Sequence, residues 1–339
     1  MKKIIYIGNN LSQKTNYHSA MATLAKLLES EGNEVICASD KTYKIARLWE
    51  MCFTILKHRN TVEVLLIDTF STSNFYYALL TSQLARILSL KYIPILHGGN
   101  LPNRLKKSEL LSTLIFKYAY KNVCPSLYLA HEFKKYNFNT VYIPNTIPVE
   151  KYSFKLRSKM EPKLLWVRAF DKIYNPTLAV KVLAKLKASY KNASLCMVGP
   201  DKDGSLNEVK DLAIQLGVAD YVIFTGVLPK EQWHKLSENY DIFINTTNID
   251  NMPVSVIEAM ALGFPIVSTN AGGLPYLIEN GVDGLLTPIN DENAMAEAIV
   301  KLLENQKKTE GLSKNAREKA EKFDGDMVKK QWTKLLENV

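Results

Sequence analysis

The sequence lacks the features that define several large classes of protein. Its four cysteines are scattered and form no Cys-x-x-Cys pair, which argues against a zinc site or a disulfide framework and fits a reducing cytoplasm. No uninterrupted apolar run reaches about 18 residues, so we expect no transmembrane helix, and the start, MKKIIYIGNN, indicates a first strand rather than a signal peptide. The patterns G-x-G-x-x-G, G-x-x-x-x-G-K and G-x-S-x-G are also missing, so dinucleotide, P-loop and serine-hydrolase chemistry are not indicated.

Acidic residues are scarce in the first half of the chain. Residues 1–150 contain 18 Lys and Arg against 10 Asp and Glu, a balance of +8, whereas the remainder contains 25 against 24, a balance of +1. This asymmetry implies an acidic partner for one domain only: nucleic acid, an anionic membrane surface or a phosphorylated substrate. We do not expect nucleic acid, because the basic residues have no interleaved aromatic platform and match no known nucleic-acid motif.

The 339 residues mostly alternate apolar strands with amphipathic helices. Such alternation predicts parallel sheets covered on both faces, with ligands at the carboxyl ends of the strands. The polar, proline-containing stretch 145–162 interrupts the pattern, and we interpret it as a domain linker. We therefore expect two doubly wound α/β domains with a cleft between them. The predicted strands are KKIIYIG, NEVICAS, VEVLLIDT, KYIPILHGG, NVCPS, TVYIPN, KLLWVRAF, ASLCMVG, YVIFTG, DIFINT and FPIVST.

One stretch, DNMPVSVIEAMALGFPIVSTNAGGLP at 250–275, concentrates signals for a binding site. Pro253 suits a first helical position, and Gly263 ends a helix predicted over about 253–262. A strand and a Gly-Gly turn follow, and Pro275 starts another helix. Helix N-termini favour anions such as phosphate. The carboxylate of Glu258 could accept hydrogen bonds from vicinal hydroxyls, and Asp250 lies in the preceding loop. The alternative is that Asp250 only solvates the loop and that Glu258 only interacts with the helix dipole.

This stretch resembles the signature of retaining family-4 glycosyltransferases, in which two acids eight positions apart precede a Gly-Gly turn. EAMALG and NAGGLP match that signature, IPNTI at 143–147 resembles the hinge, and ILHGG at 95–99 resembles the His-Gly loop of the amino-terminal domain. The resemblance covers nearly the whole chain. It implies the GT-B fold: two Rossmann-like domains over about 1–150, on the acceptor side, and 160–324, which binds the nucleotide sugar. A C-terminal helix at about 325–339 would pack back on the first domain.

The resemblance also implies residue roles. Glu258 would bind the donor ribose, and Asp250 would contact the hydroxyls of the transferred sugar. Arg168, at a strand end, would face the donor diphosphate, in keeping with the bidentate geometry of its guanidinium. His97 would line the sugar pocket, so that His97 and Asp250 are the expected catalytic residues. Gly8, closing the first strand, would let the backbone approach a phosphate or the acceptor.

The expected donor-binding set is completed by Lys172, Pro253, Val254 and Gly199. The sequence departs from the family pattern at several of these positions. Asp250 stands where a glutamate is usual, Val167 where a glycine precedes the arginine, and Lys172 comes earlier than the usual lysine. The first loop, GNNLSQKTNYHS, lacks the usual Gly-Gly.

No metal or cofactor is expected. Asp201 and Asp203 form a D-x-D motif. Because the motif follows a predicted strand of the second domain and precedes a helix, we interpret the two aspartates as solvated loop residues and not as a metal site. No other group of His, Asp and Glu residues has metal-ligand spacing. The implied substrate is a nucleoside-diphosphate sugar, with uridine or guanosine as the expected base.

A basic segment, NLPNRLKKSELLSTLIFKYAYKN, accounts for part of the charge asymmetry. Its apolar residues fall at helical spacing and its cations are numerous, which is typical of an interfacial helix at an anionic membrane. The alternative is a core-facing helix with a solvated basic face. Its cations are Arg104, Lys106, Lys107, Lys117 and Lys121, and its apolar positions are Leu111, Leu114, Ile115 and Tyr118.

Together these features lead us to expect a glycosyltransferase that acts with retention and without metal in surface polysaccharide or glycoconjugate synthesis. The acceptor would be a glycan or a polyprenyl-phosphate-linked sugar, and the enzyme would be cytoplasmic and peripheral to the inner membrane face. Two alternatives stay open: a GT-B nucleotide-sugar epimerase, which would form product from donor alone, and a non-catalytic protein that binds nucleotide sugar without turnover.

Overall fold

The computed structural model describes residues 1–10 and 20–339, so most of the first loop lies outside the described residues. Within them, the strands are β1 (Lys3–Ile7), β2 (Glu34–Ala38), β3 (Val64–Thr69), β4 (Lys91–Leu96), β5 (Asn122–Cys124), β6 (Thr140–Tyr142), β7 (Lys163–Val167), β8 (Ser194–Val198), β9 (Val222–Gly226), β10 (Ile242–Asn245), β11 (Ile266–Thr269) and β12 (Leu285–Thr287). The helices are α1 (Ala20–Glu29), α2 (Lys44–His58), α3 (Asn74–Ile87), α4 (Leu101–Lys107), α5 (Glu109–Phe116), α6 (Leu127–Lys134), α7 (Pro176–Ser189), α8 (Ser205–Gln215), α9 (Lys230–Ser237), α10 (Val254–Ala261), α11 (Leu274–Leu277), α12 (Glu292–Glu304), α13 (Gln306–Glu321) and α14 (Gly325–Glu337).

The first domain comprises residues 1–146 and 323–339. Its six-stranded parallel sheet has the order β2-β1-β3-β4-β5-β6. The central strands are apolar on both sides, as parallel strands between two helix layers must be. Side chains such as Ile5 and Leu65 pack with helices α2 to α6 on one face. On the other face, Ile4 and Tyr6 pack with α1 and with Trp332 of α14.

The second domain comprises residues 147–322. Its six-stranded parallel sheet has the order β12-β11-β10-β7-β8-β9. Trp166 and Met197 belong to a core that the sheet forms with α7, α8 and α12. Helix α10 packs against β10, β11 and α13, and its residues from Ser255 to Ala261 are all buried. The predicted pair of doubly wound parallel sheets is thus confirmed.

Strand order reverses at one point in each sheet. In the first domain the chain runs outward from β1 to β2 and then resumes at β3 on the other side of β1. In the second domain β7, β8 and β9 run one way, and β10 begins again on the other side of β7. Doubly wound sheets bind ligands at the carboxyl ends of the strands on either side of such a reversal. We therefore expect binding residues in the loops after β1 and β3 in the first domain, and after β7 and β10 in the second domain.

The segment expected to be a linker is packed onto the second domain. The side chain of Arg157 is only 4% exposed. It donates to the backbone carbonyls of Lys155, Ser237, Tyr240 and Leu262, and its guanidinium lies 3.5 Å from the ring centroid of Phe264. Residues 147–162 are therefore part of the second domain and are not a linker between the first and second domains. The hydrogen bonds of Arg157 hold this polar, irregular segment against the rest of the domain.

The basic segment forms two helices instead of one. Helix α4 ends and α5 begins at Ser108, whose backbone leaves the helical region with φ −140° and ψ 52°. Helices α2 and α6 and strand β12 were not predicted from the sequence. The apolar side chains of α2 include Met51 and Ile55, which are buried, and Trp49 and Phe53, which are exposed. Among the described residues, no helix is both long and apolar enough to cross a bilayer.

Candidate functional site

The loops after β7 and β10 bring together two of the predicted site residues. Arg168 follows β7, and its Nη2 donates to Oδ2 of Asp250 in the loop after β10. The guanidinium lies 4.2 Å from the ring centroid of Tyr174. The side chains of Arg168 and Asp250 are 18% and 12% exposed, and Nε of Arg168 has no hydrogen-bond partner among the described residues. The guanidinium of Arg168 is therefore held in one orientation by Asp250 and lies at the point where strand order reverses in the second sheet.

Glycines allow the loops around this pair to approach each other. Gly199, after β8, has φ +150°, and a Cβ there would lie 1.8 Å from the carbonyl oxygen of Arg168. Gly273 donates its N–H to the carbonyl of Asp250 at 2.9 Å, and a Cβ on it would lie 1.6 Å from the carbonyl oxygen of Asn251. Neither position tolerates a side chain without moving backbone. The Gly-Gly turn thus fixes the loop that carries Asp250.

Glu258 occupies a separate, buried position in the second domain. It is 4% exposed, and its Oε1 accepts from the Tyr152 hydroxyl at 2.7 Å and from Nζ of Lys230 at 2.6 Å. Burial and the neighbouring Glu258 carboxylate raise the pKa of Tyr152 well above its usual range, so the phenol stays a donor. A buried carboxylate held by two donors is oriented for further hydrogen bonds through its second oxygen.

Sequence analysis missed both partners of Glu258. Tyr152 lies in the stretch interpreted as a linker, and Lys230 opens α9 after a proline. His234, one turn into α9, contacts Tyr152 with ring centroids 4.5 Å apart and ring planes tilted by 49°. Burial, reinforced by the charge of Lys230, lowers the pKa of His234 to about 4. His234 is therefore neutral at physiological pH and completes an aromatic wall beside the carboxylate.

Pro253 and Val254 lie at the start of α10, as the spacing predicts, with Pro253 one position before the first helical residue. The carbonyl of Pro253 accepts from the N–H of Val256 at 3.1 Å. The hydroxyl of Ser255 is buried and has no hydrogen-bond partner among the described residues. The first turn of α10 therefore adds an unpaired hydroxyl to the polar groups of this domain.

Lys172 has a different environment from Arg168. Its side chain is 76% exposed, with Nζ 4.0 Å from Oε2 of Glu208. Its backbone N–H donates to Oδ2 of Asp203 at 2.9 Å, and Oδ1 of Asp203 accepts from the N–H of Ser205. The D-x-D aspartate thus fastens the turn that follows Arg168 to the start of α8. No group of three or more metal-binding side chains is arranged to hold an ion anywhere in residues 1–10 and 20–339.

The first domain has its own polar cluster where its strand order reverses. His97 follows β4, and its Nε2 lies 2.8 Å from Oδ1 of Asp68 at the end of β3. The hydroxyl of Tyr6, in β1, donates to the same oxygen at 2.9 Å, and Phe70 stacks on the His97 ring at 4.8 Å. A Cβ on Gly8 would lie 2.6 Å from Oδ2 of Asp68. Gly8 therefore leaves room for Asp68, which sequence analysis did not identify.

The two doubly wound, six-stranded parallel sheets define a GT-B fold. A family model for glycosyl transferases group 1 matches residues 148–319, just over half of the chain. The chain belongs to this family, and the matched region contains Arg168, Asp250 and Glu258.

Comparisons with individual proteins agree on the fold. The chain is 27% identical over 212 residues, 57% of its length, to the amylovoran biosynthesis glycosyltransferase AmsK of Erwinia amylovora, of which it covers 52%. Anabaena HepE in complex with UDP superposes with a TM-score of 0.77 and 16% identity, with full coverage of both chains. Sucrose-phosphate synthase of Thermosynechococcus elongatus gives 0.81 and 16%, covering 100% and 99%. The chain spans about half or less of the length of the curated relatives it matches.

Proposed function

We propose that this chain is a retaining glycosyltransferase of family 4 that transfers a sugar from a nucleoside-diphosphate sugar to a glycan or lipid-linked acceptor. The observation that carries the proposal is the Arg168–Asp250 pair at the point where strand order reverses in the second domain, inside the region matched by the family model. The relatives' names support the reaction class, since AmsK is named a glycosyltransferase of amylovoran biosynthesis.

Arg168 would neutralise the diphosphate as it leaves. In the transfer, the bond between the anomeric carbon and the β-phosphate oxygen breaks, and the diphosphate keeps the electron pair. A bond to the acceptor oxygen forms on the same face of the sugar, and the acceptor proton leaves with the diphosphate. Charge grows on the leaving oxygen, so a fixed cation beside it stabilises the transition state more than the ground state. In this proposal Arg168 and helix N–H groups do this work without a metal.

Glu258 would bind the two hydroxyls of the donor ribose. Its carboxylate is already oriented by Tyr152 and Lys230, so little ordering is required when the nucleotide binds. We propose uridine or guanosine diphosphate as the carrier; the UDP complex of HepE supports uridine. Lys172, Pro253, Val254 and Gly199 remain proposed members of the donor set.

Asp250 and His97 are the proposed contacts to the transferred sugar. Asp250 accepts from Arg168, so it would hold the cation in place as well as accept from sugar hydroxyls. In the first domain, Asp68 and Phe70 restrict the ring of His97. We propose that Asp68 sets which ring nitrogen of His97 carries the proton.

The proposed setting is surface polysaccharide or glycoconjugate synthesis, with a polyprenyl-phosphate-linked sugar as one possible acceptor class. The basic residues of α4 and of the segment after α5 favour an anionic membrane surface; they are Arg104, Lys106, Lys107, Lys117 and Lys121. This placement would bring the enzyme to a lipid-anchored acceptor at the inner face of the membrane.

Thermal unfolding with UDP, GDP, dTDP and NAD tests the donor site. At about a hundred times its dissociation constant a ligand adds ~2.7 kcal/mol, so one nucleoside diphosphate should raise the unfolding midpoint by several degrees. Arg168→Ala and Glu258→Gln should lose that shift, whereas Glu297→Gln, an exposed carboxylate on α12, should keep it. A response to NAD alone, or none at all, would refute the donor site.

Transfer itself is tested by incubating donor and acceptor and reading the anomeric configuration of the product by NMR. Retention is expected, and product formed without acceptor would instead indicate an epimerase. His97→Ala should lower the rate of transfer more than it weakens nucleotide binding. Equal loss of both would contradict the role proposed for His97.

A further inference from the structure

Helix α2 exposes a continuous row of large apolar side chains. Ile45, Trp49, Phe53 and Leu56 are 82%, 70%, 52% and 40% exposed. Their spacing of four, four and three residues places them on one helical face, and the rings of Trp49 and Phe53 stack with centroids 6.2 Å apart. We call this row the α2 ridge. Single exposed apolar residues are ordinary, but an aligned row of four marks an interaction surface.

The ridge continues across neighbouring helices. Helix α2 packs beside α3, and α3 packs beside α5, all on the same face of the first sheet. The outer sides of α3 and α5 also expose large apolar residues. Arg86 of α3 contacts Tyr118, two residues after the end of α5, with its guanidinium 3.8 Å from the ring centroid. These exposed residues are Tyr76, Leu80, Ile87, Leu110, Leu114 and Tyr118.

The segment of chain that forms this surface is strongly basic. Residues 41–121, which contain α2 to α5, have 12 Lys and Arg against 4 Asp and Glu, so they account for a net +8. Lys44 and Lys57 flank the ridge and are exposed. The one acid of α2, Glu50, is half-buried and accepts from the Ser39 hydroxyl. In the described part of the chain, the exposed side chains of α2 are thus apolar or basic.

We propose that the α2 ridge docks the first domain on an anionic lipid surface, with Trp49 and Phe53 entering the boundary between headgroups and acyl chains. A helix lying in that boundary has aromatic and aliphatic residues on its buried side and Lys or Arg beside them. Each cation near an anionic leaflet adds about fivefold to the affinity. The inference rests on the membrane placement proposed above but not on the proposed chemistry.

A second copy of this chain fits the surface less well. A two-fold contact would place the same patch of each copy against the other, and each patch is flanked by the exposed cations Lys44 and Lys57. Like charges brought together in this way oppose association. An anionic bilayer supplies both the apolar interior and the opposite charge.

The position of Trp49 makes the proposal directly measurable. Of the four tryptophans, Trp166, Trp233 and Trp332 are at most 4% exposed. A change of tryptophan fluorescence on mixing the full chain with vesicles therefore reports on the ridge. With phosphatidylcholine vesicles containing phosphatidylglycerol, we expect emission to move to shorter wavelength and to be quenched by brominated acyl chains. Pure phosphatidylcholine should give a much weaker response.

A pair of double variants provides the control. Ile45→Ser with Phe53→Ser keeps Trp49 as the reporter and should weaken vesicle binding by about tenfold or more. Ile214→Ser with Ile223→Ser removes two residues of the second domain that are 67% and 54% exposed, and it should bind vesicles like the wild type. All four substitutions are at exposed positions, so the fold should persist.

Three results would overturn the docking proposal. They are no fluorescence change with anionic vesicles, equal binding by the ridge double variant, and a spectral shift without lipid that grows with protein concentration, which would indicate self-association. The UDP-dependent shift of the unfolding midpoint, measured on the same variants, separates the two proposals. Vesicle binding without a response to any nucleotide would refute the donor site and leave the ridge intact.

Discussion

Replacing Tyr152 with phenylalanine tests how Glu258 is held. The phenol of Tyr152 donates to Oε1 of Glu258 at 2.7 Å, and Lys230 donates to the same oxygen at 2.6 Å. Tyr152 and Glu258 are 2% and 4% exposed. The substitution keeps the ring, and with it the contact with the ring of His234, but removes the hydroxyl. The carboxylate then depends on a lysine whose side chain is 52% exposed.

The size of the effect follows from the charge of the acceptor. A hydrogen bond to a charged group contributes about 1.5–3 kcal/mol, and a buried carboxylate that loses a donor cannot regain it from water. We expect the variant to lose ~2 kcal/mol of stability. For a domain of this size each kcal/mol lowers the unfolding midpoint by about 2–4 °C, so the expected decrease is about 4–8 °C. UDP affinity should fall by about tenfold if the orientation of Glu258 serves the ribose.

Calorimetry with and without UDP measures both quantities on the same samples. Tyr221→Phe is the matched control, because Tyr221 lies in the same domain with its side chain 42% exposed, and it should behave like the wild type. The reasoning fails if Tyr152→Phe unfolds at the wild-type temperature. If Tyr152→Phe loses the expected stability but binds UDP like the wild type, the contact stabilises the fold and the proposed ribose role of Glu258 is contradicted.

Three further substitutions have defined expectations. Gly8→Ala should destabilise the protein by about 1–3 kcal/mol, because its Cβ would lie 2.6 Å from Asp68; in urea unfolding the same substitution should cost less in an Asp68→Ala background, and an equal cost in both backgrounds would contradict the collision. Arg157→Met should cost more than about 3 kcal/mol in the same assay, since it leaves buried carbonyls unpaired, whereas exposed Arg59→Met should cost little. Burial lowers the pKa of His234 to about 4, while the unfolded chain titrates near 6.5, so the unfolded state binds more protons between these values. Acidification from pH 6.5 to 4 should therefore lower the melting temperature of the wild type more than that of His234→Gln, and parallel curves would refute the assignment.

Much of the second domain could be predicted because its signals are local. The apolar runs of β7, β8, β10 and β11 indicate buried strands. The stretch from Asp250 to Gly273 contains the start and end of a helix and a Gly-Gly turn close together in sequence. Two of the predicted site residues, Arg168 and Asp250, meet because strand order reverses between β7 and β10. The resemblance of this stretch to a glycosyltransferase signature, together with the places of both residues after apolar strands, is what identified them.

The partners of the site residues could not be predicted from local patterns. Tyr152 contacts Glu258 across 106 positions of sequence, Lys230 across 28, and Asp68 contacts His97 across 29. No periodicity links such positions, since only the packed sheet and its loops bring them together. The same limit explains the linker prediction: polar, irregular sequence does not reveal that Arg157 is buried among carbonyl groups of the domain it was expected to precede.

Helix α2 shows a different limit. The apolar side chains of α2 extend from Met51 and Ile55, which are buried, to Trp49 and Phe53, which are exposed. An apolar pattern at helical spacing does not say which of its residues the protein core covers, so the exposed part of this apolar face becomes visible only in the structure.

The placement of α14 has a consequence for how the chain folds as it is synthesised. The face of the first sheet formed by Ile4 and Tyr6 is covered by Val328, Trp332 and Leu336, more than 300 positions later. The first domain therefore leaves the ribosome with one side of its sheet partly open, and the whole second domain must be made before the closing helix appears. Contacts this distant in sequence slow folding, and open sheet faces attract other nascent chains. The domain that is translated first is the one that finishes folding last.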